Sequence, residues 1–245
     1  MAAPPSDTVL PRHVLVVENS PTSGLRRFES WWAEDGLELN IVRAHAEPLP
    51  ELDSFAALVL LGGGMMPTDD AKSPWLPRER ALASTALEDG VPLLGICLGG
   101  QMLAVVAGGE VRESHGLPEA GSTPLALLPA AAADPLFAGL PGEVRAMEHH
   151  KDAITALPPG AVWLARSERC PYQAFRLGEC AWGLQFHPEV PGARVAQWDR
   201  QALVDDGFDP DALARRAEAD EPTSAPIWRR FATAFAKVVA GTPAR

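Results

Sequence analysis

Short apolar runs alternate with longer mixed segments along the first part of the chain. Buried strands are predicted at these runs, at residues 13–17, 37–42, 55–61 and 91–96. Helices are predicted between them at 23–35, with Ser23 as the cap, and at 76–89. Because strands and helices in alternation favour right-handed βαβ units, we predict an α/β fold with a doubly wound, mainly parallel sheet.

The pattern changes near residue 121. Five apolar runs separated by proline and glycine predict antiparallel hairpins added to the parallel core, at 124–128, 144–147, 162–165, 172–177 and 180–186. Helical patterns return after Pro191, at 193–205, 210–220 and 225–239. We therefore predict a flexible tail at 1–11, one α/β domain at 12–192, and a helical extension at 193–245 that packs on the same domain.

Charge and composition narrow the class of protein. The chain has 245 residues, a formal net charge of -11 and an isoelectric point near 5, which argues against a nucleic-acid or anionic-membrane partner. No apolar run approaches the roughly 20 residues of a membrane span, and the first residues lack the pattern of a signal peptide. We expect a cytoplasmic protein that acts on a small molecule.

The cysteines do not suggest a disulfide framework, because there are only three in a chain of this length. Cys170 and Cys180 fall on the two arms of a predicted hairpin that turns near Gly178, in a register that does not pair them. We expect both to be free thiols.

The remaining cysteine lies between a predicted strand and a predicted helix. The sequence from Gly95 through Cys97 to Gly99 has the spacing of a nucleophile elbow with cysteine in place of serine. Glycines on both sides suit a chain that reverses too sharply to leave room for a β-carbon. The dipole of the following helix favours the thiolate. The spacing therefore predicts a nucleophile, although a small buried apolar residue is the alternative interpretation.

A cysteine nucleophile needs a base within hydrogen-bond reach and a third group that orients this base. Of six histidines, His187 has the best surroundings, because it ends a predicted strand and is followed by Pro188 and Glu189. In an extended chain residues 187 and 189 project to the same side, so the carboxylate can bind one imidazole nitrogen while the other faces the thiol. We predict that Cys97, His187 and Glu189 meet at one pocket.

Three consecutive glycines at 62–64 follow the third predicted strand, at the same edge of the sheet as Cys97. They match neither the Gly-x-Gly-x-x-Gly pattern nor a Gly-Lys-Ser/Thr ending, which disfavours a nucleotide loop. Their N–H groups can instead approach a developing negative oxygen, since no side chain intervenes. We predict an oxyanion hole formed by Gly63 or Gly64 with the N–H of Leu98; a flexible turn is the alternative.

A polar cluster follows the strand predicted at 144–147. Its histidines, His149 and His150, are adjacent and would point to opposite faces of a strand, which disfavours one shared metal ion. We expect no metal site and predict that this segment lines the pocket. Two later acidic groups, at 205–206 and 218–221, are predicted to be solvated surface.

Taken together, residues 62–64, 95–101 and 183–189 resemble the motifs of class I, triad-type glutamine amidotransferases. The chain is similar in particular to stand-alone proteins related to the glutaminase part of GMP synthase. The resemblance implies a flavodoxin-like sheet, and we expect no cofactor. It also implies that Cys97 attacks the γ-carboxamide of a glutamyl substrate and that water hydrolyses the resulting thioester.

The resemblance also implies roles for individual side chains. His187 would be the general base and acid, with Glu189 as its orienting group. Gln101 corresponds to the family glutamine that helps to hold the substrate. His149 and His150 belong to the segment that corresponds to the lining of the glutamine pocket.

Two departures from the family pattern leave the substrate open. The pocket segment around Glu148 and Lys151 is bulkier and more charged than the corresponding segment of family members whose substrate is free glutamine. In addition, no part of the chain resembles an ATP-dependent synthetase. Three hypotheses follow. The protein is a glutaminase that feeds ammonia to a separate synthetase or acceptor partner, a stand-alone γ-glutamyl hydrolase or peptidase without an acceptor, or a non-catalytic binding protein that kept the fold.

Overall fold

The computed structural model describes residues 12–242, so the tail predicted at 1–11 lies outside the described residues. The strands in chain order are β1 (Arg12–Glu18), β2 (Leu37–Arg43), β3 (Ala57–Leu60), β4 (Leu93–Ile96), β5 (Glu110–Arg112), β6 (Glu119–Leu127), β7 (Glu143–His150), β8 (Ala153–Ala156), β9 (Val162–Arg166), β10 (Ala174–Leu177) and β11 (Ala181–Leu184). The α-helices are α1 (Arg27–Glu34), α2 (Leu76–Glu88), α3 (Leu98–Val106), α4 (Arg200–Asp205) and α5 (Pro210–Gly241), and 3₁₀ helices span Pro129–Ala133 and Gly192–Gln197.

Within these residues the main sheet has nine strands in the order β2-β1-β3-β4-β11-β10-β9-β6-β7. From β2 to β11 neighbouring strands run parallel, and the other four continue the sheet in antiparallel fashion. The order of the parallel part is that of a flavodoxin-like sheet. The predicted fold class, a mainly parallel doubly wound sheet with added hairpins, is therefore confirmed.

Strand β1, which lies between β2 and β3, shows how both faces of the sheet are covered. Val14 and Val16 pack into the apolar core that α1 and α5 cover, whereas Leu15 and Val17 pack into the core beneath α2 and α3. All four side chains are 0% exposed, as expected for a parallel strand between two helical layers. With both faces covered, the carboxyl ends of the strands form the edge where a site can open.

The C-terminal part of the chain is one long helix rather than two. The sequence predicts separate helices at 210–220 and 225–239, but α5 continues through Pro222 and Pro226. Each proline removes a backbone hydrogen bond. The helix persists because its apolar face, which includes the fully buried Trp228, packs on the sheet.

Other local predictions also need correction. The helix predicted at 193–205 is divided into a 3₁₀ helix and α4, because Asp199 caps α4 by accepting hydrogen bonds from its first N–H groups. Ser23 does not cap α1, which begins four residues later. Of the acidic residues predicted as solvated surface, Glu221 forms an ion pair with Arg27 at 2.8 Å. The short strands β5 and β8, which pair with each other, are absent from the sequence prediction.

The predicted hairpin near Gly178 is present as β10 and β11, with Leu177 paired with Ala181. Its register keeps Cys170 and Cys180 apart, and both are free thiols, as predicted. Among the helices of residues 12–242, none combines the length and the apolar character that crossing a bilayer requires.

Candidate active site

Cys97 alone makes the turn between β4 and α3. Its backbone angles are φ 52° and ψ -106°, in a region that non-glycine residues rarely adopt. The Cys97 N–H donates to the carbonyl of Leu184 at 2.7 Å, which ties the turn to the neighbouring strand β11. The residue is 6% exposed, and it lies at the helix N-terminus, where backbone N–H groups lack intrahelical partners.

The glycines around Cys97 pack too closely for any side chain. A β-carbon on Gly99 would lie 2.1 Å from a carbonyl oxygen of β3, and one on Gly100 would lie 2.4 Å from a carbonyl oxygen of β11. A β-carbon on Gly95 would lie 2.4 Å from the backbone of Gly99. Helix α3 therefore rests directly on two strands, and this contact has the tight geometry that the elbow spacing predicts.

His187 lies just beyond the end of β11, at the same edge of the sheet as Cys97. Its backbone N–H donates to the carbonyl of Met147 at 2.7 Å, which fixes it beside β7. Its Nδ1 lies 2.8 Å from Oε1 of Glu189. Burial alone would lower the pKa of His187, but the charge of Glu189 and the hydrogen bond with Cys97 outweigh this effect and raise the pKa well above its usual value. His187 is therefore protonated at neutral pH.

The glycines that follow β3 border this pair. An ideal β-carbon on Gly62 would lie 3.0 Å from Cε1 of His187 and 3.6 Å from Cβ of Cys97. Gly62 begins the glycine run but is not part of the predicted oxyanion hole, which has Gly63 or Gly64. Gly63 and Gly64 line the cavities next to Cys97, and the third predicted oxyanion residue, Leu98, begins α3.

Two glutamines lie behind the sulfur. Gln101, one turn along α3, is buried and donates from Nε2 to the carbonyl of Asp152 and to Oε1 of Gln185, each at 3.2 Å. Gln185 in turn places its Nε2 3.7 Å from the Cys97 sulfur. Sequence reasoning missed Gln185, but the signal was available, since a residue two positions before His187 faces the same side of an extended chain.

The two adjacent histidines have different surroundings, as their opposite directions on a strand predict. The ring of His149 stacks on Trp198 with centroids 4.3 Å apart and an interplanar angle of 7°. Burial against neighbouring groups and the charge of His187 lower the pKa of His149. His150 is buried, with Nδ1 3.0 Å from the carbonyl of Asp152 and Nε2 3.2 Å from Oε2 of Glu119.

His150 belongs to a buried ionic group. Burial alone would lower the pKa of His150, but the contacts with Glu119 and Glu148 raise it to about 10. Glu148 is fully buried, with Oε2 3.3 Å from Nε2 of His150, and burial raises its pKa to about 7. His150 is therefore a cation at neutral pH, and the carboxyl groups of Glu119 and Glu148 both contact its Nε2.

One group among the described residues offers three metal-ligand atoms, from Glu119, His150 and Cys170, within 4.8 Å of one another. Oε2 of Glu119 already accepts hydrogen bonds from Ser167 at 3.0 Å and Gln173 at 2.8 Å. Burial raises the pKa of Cys170, which keeps it a thiol, whereas metals bind the thiolate. The chemistry of this group therefore fits a hydrogen-bonded network better than a metal centre.

Two cavities meet at Cys97. The first has a volume of about 390 Å³ and is lined by His187 and Glu189 together with the loop before α1 and the segment around Trp198. The second has a volume of about 360 Å³ and is lined by Gln101, His149, His150, Lys151 and Asp206, among other residues. Cys97, Gly63, Gly64 and His149 border both, so a molecule bound at the sulfur can extend in two directions.

The second cavity corrects one prediction from sequence. Asp206, predicted as solvated surface, forms an ion pair with Lys151 at 2.7 Å and lines this cavity. No local signal identifies Asp206, because its partner lies far away in the chain.

Comparisons with known proteins place the chain in a family. The family model described as Glutamine amidotransferase class-I matches residues 29–197. The chain is 36% identical to a glutamine-hydrolyzing GMP synthase from Aeropyrum pernix over 156 residues, which cover 64% of this chain and 29% of that protein. It is 43% identical to one subunit of the glutamine-hydrolyzing GMP synthase from Pyrococcus abyssi over 104 residues, which cover 42% of this chain and 53% of that polypeptide. The matched region thus spans at most about half the length of these curated relatives.

Two solved structures are similar over nearly the whole chain. A glutamine amidotransferase from Thermotoga maritima has a TM-score of 0.81 and 28% identity, covering 94% of this chain and 99% of that one. A glutamine amido transferase from Methylobacillus flagellatus has a TM-score of 0.80 and 27% identity, covering 96% of this chain and 97% of that one. Because the family model matches more than half of its residues, the chain belongs to the class I glutamine amidotransferase family.

Proposed function

We propose that this protein hydrolyses γ-glutamyl amide bonds through a thioester on Cys97. The observation that carries the proposal is the elbow cysteine, which shares one cavity with a histidine that is itself held by a carboxylate at 2.8 Å. Nucleophile, acid–base group and orienting group are the parts that acyl transfer through cysteine needs. The predicted cytoplasmic location belongs to the same proposal.

The first half of the reaction forms the thioester. The Cys97 thiolate attacks the γ-carbonyl carbon, and the negative charge moves to the carbonyl oxygen. Backbone N–H groups of Gly63 or Gly64 and of Leu98 stabilise this oxyanion. His187, protonated in the resting protein, gives its proton to the amine nitrogen, so that the C–N bond breaks and the neutral amine leaves.

The second half restores the enzyme. His187, now neutral, takes a proton from water while the water oxygen attacks the thioester carbon. The C–S bond then breaks, and glutamate and the Cys97 thiolate are released. Glu189 holds the ring of His187 in place and stabilises its charged form.

The second cavity would hold the glutamyl part of the substrate. Gln101 and the strand end at His149 and His150 border it beside the sulfur, and the ion pair of Lys151 with Asp206 adds polar groups to its lining. The buried charge of His150 lies deeper, where it fixes the carbonyl of Asp152 at 3.0 Å.

A glutaminase that supplies ammonia is the second candidate. The curated relatives are glutamine-hydrolyzing GMP synthases or single subunits of them, and a synthetase partner would receive the ammonia. This candidate predicts weak activity alone and stimulation by the partner, whereas a stand-alone γ-glutamyl hydrolase would be fully active alone on a larger substrate.

A covalent label tests the proposal. The protein is incubated with a γ-glutamyl diazoketone and, separately, with glutamine and a panel of γ-glutamyl amides, and adducts and products are identified by mass spectrometry. We expect one adduct, on Cys97, and turnover of at least one panel member. The Cys97→Ala variant should form no adduct, and its kcat should be lower by more than about 10³-fold. Cys180→Ala is the matched control, since this thiol donates to the carbonyl of Gly90 outside the two cavities.

The outcomes separate the hypotheses. Activity retained in a folded Cys97→Ala variant would contradict the thioester route. A folded wild-type protein with neither adduct nor turnover would instead support a binding protein that kept the fold.

A further inference from the structure

We propose that the first cavity binds the amine portion of the substrate and selects amines that carry a carboxylate, as in γ-glutamyl amino acids and dipeptides. This inference rests on the proposed hydrolysis at Cys97 and names its substrate class. Its reaction consumes one water molecule and releases glutamate and an amino acid or peptide, with no other co-reactant.

The position of His187 decides which cavity receives the amine. The imidazole must reach the leaving nitrogen to protonate it, and it lines the first cavity, together with Glu189. Gln101 and His150, by contrast, line the second. A γ-glutamyl amide attached at Cys97 therefore has its acyl chain in the second cavity and its amine in the first.

The volume of the first cavity exceeds what ammonia needs. A molecule the size of water occupies about 30 Å³ in the liquid, whereas this cavity has about 390 Å³. Trp198 supplies an apolar wall, and Ser20 and Thr22 supply hydroxyl groups. A space of this size and composition suits an amino acid or a short peptide.

The charges of the first cavity favour an anion. Arg26 and Arg194 line it. In the part of the chain that the structure describes, neither lies within ion-pair distance of a carboxylate, and the nearest effect of this kind is the charge of Arg26 acting on Glu18. Each guanidinium makes a neutral contact: Arg26 donates to the carbonyl of Thr22 and Arg194 to the side chain of Gln197. Since a guanidinium has five N–H donors in a planar fork, both keep donors free for a carboxylate.

The acidic residues of the same cavity are already engaged. Glu189 binds His187 at 2.8 Å, and the Asp199 side chain caps α4. Two arginines that form no ion pair within residues 12–242 therefore face the cavity, in a protein whose formal net charge is -11.

The backbone of Arg26 gives a second, independent reason. Its φ of 50° and ψ of -125° resemble the strained geometry of the elbow residue, at a cost of order 1–3 kcal/mol for a non-glycine residue. Within residues 12–242 positive φ at non-glycine residues occurs at Arg26, Cys97 and Ser114, and each lines one of the two cavities. Strain of this kind persists only where the surrounding structure over-determines it, and it clusters at active sites and ligand clamps.

A matched pair of substrates tests the inference. We would compare kcat/KM of the wild-type protein for γ-glutamylglycine, for γ-glutamylglycinamide, which replaces the carboxylate by a neutral amide of the same size, and for glutamine. We expect kcat/KM for γ-glutamylglycine to exceed kcat/KM for γ-glutamylglycinamide and for glutamine by at least about tenfold, because hydrogen bonds to charged groups are stronger than those between neutral groups.

Variants locate the effect. Arg26→Gln and Arg194→Gln should each reduce the ratio of carboxylate to carboxamide substrate by roughly fivefold to tenfold, mainly through KM. Arg216→Gln, an exposed arginine on α5 that borders neither cavity, should leave the ratio unchanged.

The failures of the two proposals are distinguishable. Equal kcat/KM for the two glycine substrates, or a preference for glutamine, would overturn the selection of a carboxylate while the thioester mechanism stands. Failure to turn over all three substrates, without labelling of Cys97, would contradict the proposed function itself.

Discussion

Cys97 has backbone angles that favour glycine, and the surrounding contacts explain how a residue with a side chain is tolerated there. Glycines on either side let α3 rest on β3 and β11, and the Cys97 N–H is held by the carbonyl of Leu184. The strain is therefore balanced by packing that only glycine permits. The result is a thiol fixed at the start of a helix and next to a charged imidazole.

The variant Gly62→Ala tests whether the position of the His187 ring depends on the close packing of these glycines. We expect kcat to fall by roughly tenfold to hundredfold, because a methyl group 3.0 Å from Cε1 of His187 displaces the ring, and a misplacement of about 1 Å can cost 10²-fold. Gly142→Ala is the control, since a β-carbon there would meet nothing within 4 Å. Steady-state kinetics on the best γ-glutamyl substrate measures both, and equal rates for the two variants would contradict the expected displacement.

The contact between His187 and Glu189 was predicted for an extended chain, but the chain turns at residues 188–189, where the Val190 N–H donates to the carbonyl of His187 at 3.4 Å. The turn, and not period-two alternation, brings the carboxylate to the imidazole. Alternation along the preceding residues would have found Gln185. The stack of His149 on Trp198 could not be predicted, since the two residues come from different segments and meet only through tertiary packing. The ion pair of Lys151 with Asp206 could not be predicted for the same reason. The roles of these residues in catalysis or binding stay predictions.

At the scale of elements, helix α2 braces the end of β3. Nδ2 of Asn19 donates to the carbonyl of Leu61 at 3.1 Å and to Oε1 of Glu79 at 3.0 Å, and Nε1 of Trp75 donates to Oδ1 of Asn19 at 2.9 Å. This network fixes the backbone that leads into residues 62–64. It also buries a carboxyl group whose second oxygen has no hydrogen-bond partner.

Glu79→Gln should change the pH dependence of stability. Burial raises the pKa of Glu79 from an ordinary 4.5 to about 7, so the folded protein keeps a proton that the unfolded chain loses. Wild-type stability therefore falls as pH rises from 4.5 to 7. Glutamine keeps the acceptor for Asn19 and carries no charge, so the stability of the variant relative to wild type should rise across this window by roughly 3 kcal/mol.

Urea unfolding at pH 4.5 and pH 8 measures this difference. Glu88→Gln, an exposed residue on the same helix, should show no comparable change. Parallel pH profiles for wild type and Glu79→Gln would mean that the carboxyl is ionised in the folded protein.

Elements of the parallel half were predictable because their apolar runs are short and bounded by glycine, proline or polar residues. The region around α5 was not. Local sequence near Pro222 and Pro226 favours a break, and only the tertiary contacts of the apolar face keep the helix continuous. The capping residue Asp199 was a local signal that would have divided the helix predicted at 193–205.

At the scale of the whole molecule, α5 joins β7, at one end of the sheet, to α1. The indole N–H of Trp228 donates to the carbonyl of Arg145 in β7 at 2.8 Å, and that of Trp32 in α1 donates to the carbonyl of Ala232 at 3.0 Å. The Trp228 ring also lies 5.1 Å from that of Phe186, beside His187. The C-terminal helix is thus part of the core.

Trp228→Ala should therefore lower the free energy of unfolding by about 3–5 kcal/mol, the usual cost of a large buried aromatic residue. Trp163→Ala is the control, because that ring is 37% exposed, and its loss should cost less than half as much. Urea unfolding followed by circular dichroism compares them, and similar midpoints for the two variants would argue against a core role for α5.

The pairing of β4 with β11 has a consequence for how the chain becomes active during its synthesis. The sulfur-bearing residue Cys97 and its neighbour Gln185 are 88 positions apart, so a ribosome completes the nucleophile long before the imidazole exists. Until β11 inserts beside β4, the growing chain carries the Cys97 thiol without the imidazole of His187 next to it. Under the proposed mechanism, hydrolysis therefore cannot begin before β11 has taken its place in the sheet.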